Sequence, residues 1–267
     1  MAANSSDEMG FFEHLEVLRW HLIRCFVAIA FFAVVFFLNS HFVFDSLLFG
    51  PTRDSFVTYR WLCLLSKKFT LPESLCISGA KIQLMNTEIF GQFITQLKTA
   101  FVLGFVVSFP YIIFEIWKFV RPALTEREAK SARIVIISSS FFFFLGLVFS
   151  YFILVPFSIN FAMNYIVSQQ IDNRITLDNY ISFFTMMSLA MGIVFELPMI
   201  AIALARLGLL SAQTMRQFRR HAIIVILIIA AIITPSPDVF TQMLVAIPMY
   251  FLFELSIIVA ARVEKTS

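Results

Sequence analysis

Glu196 stands where a carboxylate is costly, inside the apolar run M-G-I-V-F-E-L-P. An ionisable group within a membrane-spanning segment costs at least a few kcal/mol unless it is paired or hydrated. It either serves a functional pathway or is a protonated glutamate that hydrogen-bonds a neighbouring helix. The other candidate acids lie at the ends of apolar runs. Glu16 and Arg19 sit three apart on an amphipathic stretch, where they form either a surface ion pair or part of a binding face. Glu128 follows Thr125 at capping-box spacing; it either caps the next helix or offers an exposed carboxylate to a cationic ligand, and the two roles are compatible. The turn T-P-S-P-D, Thr234 to Asp238, ends one helix with two prolines and offers Asp238 as the cap of the next. Gln242 then lies inside that helix, able to bond an adjacent span.

Catalytic constellations are missing. His14, His21, His41 and His221 are scattered, with no H-E-x-x-H, no Ser/His or Asp/Asp arrangement and no Gly-rich phosphate loop. No enzyme, metal or cofactor is expected. Of three cysteines, Cys63 and Cys76 share one long connection and can pair if it faces an oxidising compartment; otherwise they are buried free thiols. Closing that loop would stabilise it by about 3 kcal/mol. Cys25 lies in a span and reads as a packing residue.

The elements that must carry these residues are set by composition. Of 267 residues, 60% are hydrophobic and 14% charged, which excludes a water-soluble globule. A net charge of +3 gives no pull toward nucleic acid. No removable signal peptide opens the chain. Apolar runs at about 22–38, 99–117, 134–155, 180–205, 222–234 and 239–261 are hydrophobic around their whole circumference, which favours helices over a barrel. The expected fold is all-α: one polytopic membrane domain over 1–267 with six transmembrane helices. An amphipathic interfacial helix at about 5–21 precedes them, and a long outside loop spans 39–98. Thirteen of the twenty lysines and arginines fall in the termini and in the 118–133 and 206–221 loops, so both termini should be cytoplasmic. The 222–234 run is only about 20 Å of helix against a hydrocarbon core of roughly 30 Å, so the bilayer thins there or Arg219 and Arg220 snorkel. Pro110, Pro156, Pro198 and Pro248 should bend their helices, giving a curved, concave bundle.

Four segments in this order resemble the TatC family of twin-arginine protein translocases over about residues 11–262: H-L-E-V-L-R at 14–19, F-V-R-P-A-L-T-E-R-E at 119–128, F-E-L-P at 195–198, and T-P-S-P-D-V-F-T-Q-M-L-V-A-I-P-M-Y at 234–250. The resemblance implies a six-helix, glove-shaped receptor in the bacterial inner membrane. It would bind the twin-arginine signal peptides of folded precursors at its cytoplasmic face. It would then recruit the single-span subunits TatA and, where present, TatB, and self-associate, with export driven by the proton-motive force. Carried over residue by residue, signal-peptide binding falls to Glu16, Arg19, Phe119 and Glu128, an intramembrane role to Glu196, and partner or outer-side roles to Pro51, Thr234, Asp238 and Gln242. The family's N-terminal glutamate, in H-L-x-E-L-R, falls on Val17 here. Glu16 is one residue earlier and rotated by about 100° on a helix. Either Glu16 takes over with changed geometry or Glu128 carries more of the recognition. A competing reading is a proton-coupled small-solute transporter that uses Glu196 as its relay.

Overall fold

The computed structural model describes residues 11–53, 55–69, 84–120, 132–168, 170, 173–206, 210–234 and 239–266. Its helices are α1 (Phe11–Leu38), α2 (Val57–Phe69), α3 (Gly91–Val120), α4 (Ala132–Phe149), α5 (Val155–Asn164), α6 (Leu177–Phe195), α7 (Leu197–Arg206), α8 (Ala212–Gln217), α9 (Arg219–Ile233) and α10 (Val239–Thr266). Among the described residues there is no strand, only an isolated bridge between Met85 and Thr176. Five stretches are long and apolar enough to cross a membrane: Leu15–Leu38, Gly91–Val120, Ile134–Asn164, Leu177–Ala205 and Thr241–Arg262. The run at 222–234 lies in α9, whose 15 residues fall short of that length.

The chain forms two compact units. The first comprises 1–38 and 100–140, the second 39–99 and 141–267. In the first, α1 has no glycine or proline to interrupt it and runs unbroken from Phe11 to Leu38. The interfacial helix expected to end near residue 21 is therefore not a separate element: the same helix continues straight into the span. It packs antiparallel to the C-terminal part of α3 at Gly104, where an added Cβ would lie 2.7 Å from the Ile29 carbonyl and 2.8 Å from the Ala33 nitrogen. Glycine there lets two backbones meet, the usual source of affinity between helices in lipid.

The second unit holds the densest core, with Tyr180, Phe143, Leu48, Leu154, Met187, Met191 and Met249 fully buried. A Cβ on Gly146 would meet the Met191 carbonyl at 2.5 Å, so α4 and α6 touch backbone to backbone. Small residues do the same between α7, α8 and α10, where Ala201, Ala205, Ala212 and Ala260 cluster around Met215 and Ile257. The stretch expected as a loop at 39–98 contains α2 and the first turns of α3. Those turns carry Gln92, Gln96 and Lys98, polar residues that hide the helix start from a hydropathy scan; Lys98 bonds Asp178 of α6 at 2.8 Å.

At Pro156 a side chain from elsewhere replaces the donor that proline lacks. Before Pro156 the chain widens into a π turn, Ser150–Leu154, with the Val155 N–H reaching Ser150. Pro156 has no N–H to offer the Phe152 carbonyl; the Thr58 hydroxyl of α2 donates to it at 2.5 Å. A turn over Phe42–Thr52 is held by three phenols: Tyr151 donates to the Leu47 carbonyl at 2.9 Å, Tyr180 to Leu48 at 2.6 Å and Tyr59 to Pro51 at 3.0 Å.

Candidate functional site

In the first unit a polar cluster joins α1 to α3. Tyr111, Glu115 and Phe119 recur every four residues and share one face of α3. Glu115 is 3% exposed. His21 of α1 donates through Nδ1 to its Oε2, Tyr111 donates to Oε1 at 2.8 Å, and Arg24 Nη1 stands 3.8 Å from Oε2. A buried carboxylate is tolerable in an apolar span only when it is compensated in this way. The His21 ring also meets Phe119 edge-on, with centroids 6.0 Å apart. Phe119, one of the expected site residues, is thus held by a histidine that a glutamate orients.

Glu16 and Arg19 are exposed, five and two residues before His21 on the same helix. Among the described residues no ion pair joins them; the Arg19 guanidinium lies 5.9 Å from the centre of the Trp20 ring. Both belong to the end of the α1–α3 pair that carries Phe119. Glu128 lies outside the described residues, as do Asp238 and Cys76. Val17 is half-buried on α1.

In the second unit Glu196 occupies the break between α6 and α7, is 8% exposed and has φ −73° and ψ −12°. Pro198 removes the donor that the Val194 carbonyl would otherwise receive. The Glu196 N–H turns inward to Ile193 at 3.0 Å, while its own carbonyl accepts from Met199 at 2.9 Å and Ile200 at 3.0 Å. The expected bend of the fourth span is therefore an interruption centred on the carboxylate itself.

Gln242 of α10 donates to the Leu227 carbonyl of α9 at 3.0 Å, a helix-to-helix bond within the chain. Thr234 is buried and closes α9 by donating its hydroxyl to Ala230 at 2.9 Å. Pro51 is buried in the tyrosine-held turn. Arg219, one of the two arginines at the start of the short α9, bonds Glu254 of α10 at 2.7 Å, with Tyr250 donating to the same carboxylate at 3.1 Å. Cys63 is disulfide-bonded and Cys25 is free.

In the sequence His21 is one of four scattered histidines, and Glu115 belongs to none of the motifs. What could have joined them is that each lies near the same end of two consecutive spans, and consecutive spans are antiparallel.

Residues 13–248 match the family model described as "Sec-independent protein translocase protein (TatC)". A TatC protein of Blattabacterium sp. subsp. Periplaneta americana is 38% identical over 263 residues, covering 98% of each chain. That of Escherichia coli K12 is 28% identical, covering 94% of this chain and 88% of its own. A solved structure described as the twin-arginine translocase receptor TatC superposes with a TM-score of 0.71 at 28% identity, over 94% of this chain and all of that one. A second, solved in DDM, gives a TM-score of 0.73. The motifs, the apolar helices and these relatives agree: the chain belongs to the TatC family, the multi-pass inner-membrane components of the Sec-independent protein translocase.

Proposed function

We propose that this chain is the signal-peptide receptor of a twin-arginine translocase. Its paired-arginine ligand would bind at the end of the α1–α3 pair, through Glu16, Glu128 and Phe119, with Arg19 beside them. The observation that carries the reading is the His21–Glu115 brace, which fixes Phe119 and the exposed Glu16 face of α1 on one packed pair of helices. Carboxylates accept two parallel bonds from a guanidinium, a geometry that an ammonium cannot reproduce. The solved relatives are themselves described as twin-arginine translocase receptors.

In this reading α9 serves as a short fifth span of six, both termini face the cytoplasm, and the helices form a curved cradle in which Glu196 meets the inserted peptide. Pro51, Thr234, Asp238 and Gln242 lie toward the outer side, where TatA and TatB dock, and Cys63 pairs with Cys76. Several copies associate, and the proton-motive force drives export without a cofactor.

The test is peptide binding to the purified protein in lipid. A twin-arginine peptide should bind and its twin-lysine version should bind much more weakly. Glu128→Gln should cost about tenfold in affinity, the scale of one charge-assisted bond, and Val17→Glu should strengthen binding if Glu16 is a displaced substitute. Equal binding of the two peptides removes the receptor reading. Substrate-dependent proton flux in liposomes, lost in Glu196→Gln, would install the transporter reading in its place.

A further inference from the structure

We propose that the groove between α1 and α3 is a binding site for one anionic phospholipid, with the phosphate at Arg24 and an acyl chain along Val27, Phe31 and Val107. The groove has a volume of about 770 Å³ and belongs wholly to the first unit. Apart from Trp20, Arg24, Ser108 and Tyr111 its lining is aliphatic or phenyl.

Charge selects the occupant. Arg24 lies nine residues into the span that begins at Leu15, and its side chain is 48% exposed. Glu115 cannot neutralise it fully, because that carboxylate already receives His21 and Tyr111 and holds Arg24 only at 3.8 Å. A half-exposed guanidinium at this depth is stabilised by snorkelling to a phosphate. An apolar partner helix would add nothing to its 3.8 Å contact with Glu115, and a free phosphate would leave the apolar part of the groove unfilled.

A second observation points to the same ligand. Ser108 lines the groove, is 1% exposed, and its hydroxyl has no partner among the described residues. Ser140, Thr185 and Ser256 on other helices bond back to the carbonyl four residues earlier, whereas Ser108, like Thr95 and Thr99 of the same helix, does not; of these three, Ser108 alone lines the groove. Ser108 lies three residues, about 4.5 Å, deeper along α3 than Tyr111. That depth below a phosphate at Arg24 corresponds to the glycerol ester, which would accept the spare proton. Trp20 and Tyr111 flank the phosphate level, where amphipathic rings belong.

The experiment reads Trp20 emission from the full-length protein in phosphatidylcholine vesicles containing a minor fraction of brominated-chain phosphatidylglycerol or brominated-chain phosphatidylcholine. The anionic lipid should quench about fivefold more effectively, the effect expected of one basic residue at a membrane surface. The difference should vanish in Trp20→Phe, persist in Arg24→Lys, and fall to parity in Arg24→Gln. Equal quenching by the two lipids in the unaltered protein overturns the proposal, whether or not any variant folds. An undiminished preference in Arg24→Gln also overturns it, as does displacement by inorganic phosphate or by a twin-arginine peptide. Peptide affinity measured on the same vesicles tests the receptor reading separately: lost peptide binding with the lipid preference intact removes that reading and leaves this one standing.

Discussion

Among the described residues, two buried glutamates sit in contrasting backbone settings. Glu115 sits in an uninterrupted helix and depends on side chains: His21 and Arg24 from α1, and Tyr111 from its own helix. Glu196 sits where the helix breaks, and the backbone around it is rearranged, its N–H turned back to Ile193 and its carbonyl shared between Met199 and Ile200. The first arrangement is tertiary and fails when a distant residue changes. The second backbone setting is local, written into F-E-L-P by Pro198. Burial of a carboxylate therefore says little about what sustains it.

Substitutions at four positions test that contrast. The largest loss should come from Glu115→Ala, which strands the donors around it; unfolding of the purified protein in detergent should be eased by about 3–5 kcal/mol, as for other broken buried pairs. Next, His21→Leu should cost about 2 kcal/mol by leaving a buried acceptor short of a partner. Combined with Glu115→Gln, it should lose less than the sum of the two single changes, because they remove one shared interaction; strict additivity would break the tertiary account. Thr58→Val should cost about 1 kcal/mol, since the Phe152 carbonyl opposite Pro156 loses the Thr58 hydroxyl, whereas Thr58→Ser should restore it. Smallest of all, Glu196→Gln should shift stability by about 0.6 kcal/mol, the average for a polar group between membrane helices, because glutamine keeps the side-chain shape and a hydrogen-bonding carbonyl while the main-chain bonds of the break stay in place. A loss at Glu196 as large as that at Glu115 would erase the distinction.

The same contrast explains what could be read in the residues. Long apolar runs fix helices and their rough ends, so the spans around Leu22, Ile134 and Tyr180 are legible, and prolines mark Glu196 and the Pro156 irregularity. Polar helix starts are not: Gln92, Gln96 and Lys98 conceal the first turns of α3 because hydropathy registers solvent preference rather than backbone geometry. Phe119 and Glu16 can be named from motif spacing, but the bond between His21 and Glu115 requires knowing which faces of two helices meet, and periodicity around an all-apolar helix carries no face. The groove beside Arg24 is invisible for the same reason.

The turn held by Tyr59, Tyr151 and Tyr180 has an evolutionary consequence. Each phenol grips a main-chain oxygen, and every amino acid supplies one. An outward position such as Ser46 can therefore change its side chain without removing a bond that holds the turn. Surface identity on that turn can diversify toward whatever it meets outside, with the anchoring phenols left as the invariant part.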